Sequence, residues 1–78
     1  MEPEEIKDII ENGLPGSIVK VKGDGTHFEA IIVSHKFHGM GLVEQHQTVY
    51  TTLGDAMNKH IHALSLKTYT PEQWEKIK

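Results

Sequence analysis

Seventy-eight residues, 37% of them hydrophobic, are expected to form one domain with a modest core; a chain this size buries only roughly 60–65% of its unfolded surface. The absence of cysteine excludes a disulfide framework, a thiolate nucleophile and any metal site built from the chain's own thiolates. The net charge of −3 is unevenly spread: residues 1–16 carry −4, residues 17–71 carry +1 and the tail is neutral.

Residues 3–13 are predicted as the first helix. Ile6, Ile9, Ile10 and Gly13/Leu14 form one apolar stripe, Pro3 lies in the first turn, and Glu4 and Glu5 favour the positive end of the helix dipole. Gly13 and Pro15 end it. Ser17 to Lys22 alternates as a half-buried strand, with Val19 and Val21 inward and Lys20 and Lys22 outward. Gly23-Asp24-Gly25 is a turn, and Phe28 to Ser34 is the more apolar return strand.

His35 to Gly41 holds two glycines and is predicted as a loop. From Leu42, the positions Val43, His46, Tyr50, Leu53 and Met57 follow helical spacing. Within this second helix Thr48 to Thr52 is rich in β-branched residues, and Gly54 costs about 1 kcal/mol against alanine. Ile61 to Thr68 is the third strand. A third helix follows with a capping box: Thr70 at N-cap, Pro71 at N1 and Gln73 at N3, with Tyr69 and Trp74 at the staple positions.

This order predicts an α+β domain, a three-stranded mixed sheet with helices on one face. The helical crossover between strands 2 and 3 makes those strands parallel, so their amino-terminal ends share one edge of the sheet. His27 precedes strand 2 and His62 opens strand 3, so both belong to that end. Adjacent strands would separate them by ~5 Å and an intervening strand by ~10 Å. An isolated histidine more often bonds backbone or solvent than metal, but two on one sheet edge gain weight as ligands through neutral imidazole. Two histidines complete no zinc site, so outside ligands are required; an iron–sulfur cluster can take histidine on one iron while cysteines hold the other.

The remaining histidines carry less. His35 and His38 flank Lys36-Phe37 in the loop as solvated residues, His46 lies on the stripe of the second helix, and His60 sits at a helix end. Six histidines could together reverse the net charge in mild acid. No nucleophile elbow, Walker motif or dinucleotide fingerprint occurs, so no enzymatic activity is expected. The longest apolar run, residues 30–33, is far shorter than a membrane span. The acidic start, Met1-Glu2-Pro3-Glu4-Glu5, lacks the basic region of a signal peptide, and a cytoplasmic protein is expected.

Gly23-Asp24-Gly25-Thr26-His27-Phe28, Val33-Ser34, Phe37-x-Gly39, Thr48-Val49-Tyr50, Ile61-His62-Ala63-Leu64 and Thr68-Tyr69-Thr70-Pro71-x-x-Trp74 together resemble the BolA family, nearest its YrbA-like branch. The resemblance covers nearly the whole chain, and the last block is its most specific part. It implies a class II KH-like fold, binding to a monothiol (CGFS-type) glutaredoxin, and joint coordination of a [2Fe–2S] cluster, with glutathione supplied by the partner. The family's fixed histidine ligand falls on His62 and its variable loop ligand on His27. A chain of this kind is expected to be monomeric alone and to bind no cluster by itself.

The alternative function is a KH-like nucleic-acid-binding regulator of transcription or acid response, using Lys20, Lys22, Lys36, Lys59 or Lys67. The absence of arginine and the negative total charge weigh against it. So does Glu44-Gln45-His46-Gln47, which stands where many family members carry a basic stretch.

Overall fold

Helix α1, Pro3–Gly13, begins where Pro3 sets the first helical position and the Glu2 N–H donates to Glu5 Oε1 at 2.9 Å. Ile6, Ile10 and Leu14 recur on one face and are almost wholly buried. The computed structural model describes residues 1–61 and 63–78, except for the side chain of Asn58. His62, the expected fixed ligand, lies outside the described residues.

Strands β1 (Ile18–Gly23), β2 (His27–Val33) and β3 (Ala63–Tyr69) form one sheet in the order β1-β2-β3. β1 and β2 pair antiparallel, while β2 and β3 pair parallel, as the crossover requires. Val19, Phe28, Ala30 and Ile32 project to the inner face, where they meet α1 and helix α2 (Leu42–Leu53) around Phe37, Val49 and Leu53. This is the expected α+β architecture, a mixed three-stranded sheet with α1 and α2 packed on one face.

Four local expectations are corrected. His27 is the first residue of β2 rather than a turn residue before it, because it pairs with Ala63 across the parallel ladder. β3 is described over Ala63–Tyr69, one residue past its expected end, and Ile61 is not part of it. Ile61 is buried ahead of the strand, its N–H donating to the Ala56 carbonyl at 3.2 Å. The segment from His35 to Phe37 is a 3-10 turn within the predicted loop, capped by Ser34.

The fourth correction concerns the second helix, which is two. α2 stops at Gly54, whose φ of 53° suits glycine alone, and helix α3 (Ala56–Lys59) follows. The β-branched stretch is helical, with the Thr48 and Thr51 hydroxyls donating to the carbonyls of Glu44 and Gln47 at 2.8 and 2.9 Å. Its buried face is Gln45, Val49 and Leu53, whereas Val43, expected inward, is 71% exposed. Gln45 is tolerated inside because both ends of its amide are bonded. Its Nε2 donates to the Met40 carbonyl at 3.0 Å, and its Oε1 accepts from Thr68 Oγ1 at 2.6 Å.

Helix α4, Pro71–Ile77, begins as its sequence dictates. Thr70 Oγ1 accepts from the Gln73 N–H at 3.2 Å, and Gln73 Oε1 accepts from the Thr70 N–H at 2.9 Å. The rings of Tyr69 and Trp74 lie 5.6 Å apart, tilted by 44°, which completes the staple.

Candidate functional site

His27 is exposed at the amino-terminal end of β2, beside a shallow depression of about 480 Å³. Lys22, Asp24, Glu29, Ala63 and Ser65 line that depression with it. Its backbone is tightly held. Asp24 Oδ1 accepts from the N–H of His27 at 2.8 Å and of Thr26 at 2.9 Å, while the Asp24 N–H donates to the His27 carbonyl at 3.2 Å. These N–H groups, that of His27 first, hold the Asp24 carboxyl below the usual carboxylate range.

Gly23 permits this closure. A Cβ there would stand 2.5 Å from the His27 carbonyl oxygen and 2.5 Å from the Phe28 ring. The imidazole of His27 is therefore an exposed side chain on a fixed backbone, not one carried by a loose loop. The role of Asp24 went unrecognised in the sequence, although an aspartate two and three residues ahead of its N–H donors is the pattern of an Asx turn.

The parallel register sets His27 opposite Ala63, the residue that follows His62 in the chain. Among the described residues, no three His, Asp or Glu side chains come together to hold a metal ion. Among the described residues His27 thus offers one exposed imidazole at this sheet end, a nitrogen donor whose further co-ligands would have to come from elsewhere.

The lysines divide. Lys20, Lys22 and Lys67 share the outer face of the sheet, since their neighbours Val19 and Thr68 point into the core. Lys36 follows β2 and Lys59 precedes β3, so those two belong to opposite ends of the sheet. Among the other histidines, His35, His38 and His60 are exposed. His38 Nε2 meets Glu72 Oε1 at 2.7 Å, joining the 3-10 turn to α4. His46 is half-buried, and its Nε2 has no hydrogen-bond partner among the described residues.

The BolA-like protein family model matches residues 8–73. The acid stress protein IbaG of Escherichia coli strain K12 is 44% identical over 75 residues, spanning 95% of this chain and 89% of that protein. The DNA-binding transcriptional regulator BolA of Vibrio cholerae is 36% identical over 76 residues, spanning 97% of this chain and 69% of that one. A solved bolA protein homologue from Coxiella burnetii matches with a TM-score of 0.89 and 46% identity, covering 96% of this chain and 97% of its own. These relatives are named as a stress protein and a regulator, and none as an enzyme. Among the described residues no helix is long and apolar enough to cross a membrane. With fold, motifs and near full-length similarity in agreement, the chain belongs to the BolA-like protein family.

Proposed function

We propose that this protein is a non-enzymatic iron–sulfur adaptor that binds a monothiol glutaredoxin and shares a [2Fe–2S] cluster with it, for cluster trafficking or iron regulation. The observation that carries this is the exposed imidazole of His27 at the open end of the sheet, on a backbone fixed by Asp24 and level with the residue after His62. In this reading His27 and His62 supply neutral imidazole nitrogens, and the partner and its glutathione supply thiolates. The cluster is cargo rather than a resident cofactor. Histidine ligation makes the shared cluster sensitive to mild acid, because a protonated imidazole has no lone pair for iron.

The test is cluster assembly with a monothiol glutaredoxin and glutathione, followed by visible absorption and circular dichroism. His62→Ala is expected to abolish the histidine-type spectrum and its acid sensitivity, and His27→Ala to weaken or redirect it. A spectrum identical to that of the glutaredoxin alone, for wild type and both variants, would remove the assignment.

The names of the relatives and the three lysines on one sheet face favour a second reading, a nucleic-acid-binding regulator of transcription or acid response. Lysine as the only basic residue type and a net charge of −3 limit such binding to a weak, strongly salt-dependent contact.

A further inference from the structure

The strand register orders the outer sheet face into rows. Ile18, Val33 and Tyr69 form the row nearest α4; Lys20, Ile31 and Lys67 form the next; Lys22, Glu29 and Ser65 form the third; and His27 with Ala63 closes the face. α1 and α2 pack on the inner face, and α4 meets the outer one at Tyr69 and at Lys20 of the second row, so the rest of the middle rows is uncovered among the described residues. A depression of about 280 Å³ lies over the second and third rows, lined by Lys20, Lys22, Ile31 and Lys67 among others. Lys22, Glu29 and Ser65 line both this depression and the one beside His27. One shallow trough thus runs from the α4 end of the sheet to the candidate ligand.

The trough is charged against the trend of the molecule. Three lysines face two carboxylates there, Glu29 in its middle and Asp24 at the His27 end, whereas the chain as a whole carries −3. Lys22 is paired with Glu29 at 3.4 Å, but among the described residues Lys20 and Lys67 have no carboxylate partner. They stand on either side of Ile31, which is half-buried, and Ile18 adds an apolar contact at 47% exposure. The acidic side chains of α1 belong to the opposite layer, so a partner approaching the trough meets positive charge and one approaching the helices meets negative.

We propose that this outer face docks the protein partner of the cluster through an acidic stretch, with carboxylates set against Lys20 and Lys67 around an apolar side chain over Ile31. The proposal rests on the adaptor reading above and extends it from the ligand to the footprint. A nucleic acid suits the trough less well. Glu29 lies in its middle, and the face of Trp74, the natural platform for a base, already carries the Lys20 ammonium at 5.5 Å and the Tyr69 ring beside it.

The experiment measures affinity for a cluster-loaded monothiol glutaredoxin by biolayer interferometry at low and physiological salt. The wild type is compared with the double variant Lys20→Glu/Lys67→Glu and with Glu29→Lys, their folds checked by far-UV circular dichroism. The double variant is expected to bind about tenfold more weakly with a flatter salt dependence. Glu29→Lys is expected to bind more tightly, an effect that misfolding cannot imitate. Unchanged affinities for both variants, with a wild-type complex that forms, overturn the docking face alone and leave the adaptor standing. A wild type that binds no glutaredoxin removes both. Tight oligonucleotide binding that depends on the same lysines, beside glutaredoxin binding that does not, replaces the acidic partner with a nucleic acid.

Discussion

Asp24 does more for the candidate site than its exposure suggests. One carboxylate oxygen closes the turn onto two backbone N–H groups, and one of them belongs to His27 itself. Asp24→Ala leaves both donors to water and frees the strand entry, and is expected to lower the unfolding temperature, as loss of a side-chain cap does. Asp24→Asn keeps an acceptor oxygen in place and should lose less. Thermal unfolding of the two variants beside wild type checks the order. If the two substitutions cost the same, the carboxylate oxygen is not what fixes the turn.

At the scale of elements, the start of α4 is the most self-contained feature of the fold. Thr70 and Gln73 satisfy each other's backbone N–H, so Thr70→Ala should lower stability by about 1 kcal/mol in denaturant titrations. A second tie reaches the same helix from outside, where His38 donates to Glu72 and holds that carboxyl below the usual carboxylate range. A depressed carboxylate contributes stability that is present above its ordinary pKa and is lost as pH falls through its folded value. Wild type should therefore unfold at a slightly higher temperature than Glu72→Gln near neutral pH, and the gap should close in acid. Both groups are exposed, so the effect is small, and melting curves across the carboxylate range decide it.

The elements differ in how far the sequence reveals them. α4 was legible down to its cap because the Thr70-Pro71-x-Gln73 signal is entirely local. The parallel pairing of β2 and β3 was legible because a helical crossover permits little else. The inward face of α2 was not. Val43 and Tyr50 look like core by type, yet Gln45 goes inside because the Met40 carbonyl and the Thr68 hydroxyl await it, partners far from it in sequence or set by the turn. The end of the same helix at Gly54 was weighed as a helix cost when it is a helix stop.

For the molecule as a whole, the sequence offers a pair of histidines at one sheet end as the candidate site; the structure places His27 there, and His62 lies outside the described residues. That His27 is a strand residue depends on its pairing with Ala63, which no local pattern announces. The lysine face was half visible: Lys20 and Lys22 alternate outward on one strand, but Lys67 joins them only through the register of the third. Long-range pairing thus governs both the setting of His27 and the face beside it.

That pairing also has a temporal side. The β1–β2 hairpin closes over a few residues, whereas α2 and α3 lie between β2 and β3 in the chain. Loop closure delays contacts between distant segments, so the hairpin can form early and the parallel ladder last. A nascent chain, or one severed at the turn between α2 and α3, would present His27 on a bare hairpin with neither β3 nor Lys67 beside it. On the adaptor proposal above, completion of the fold and readiness to receive cargo would then be the same event.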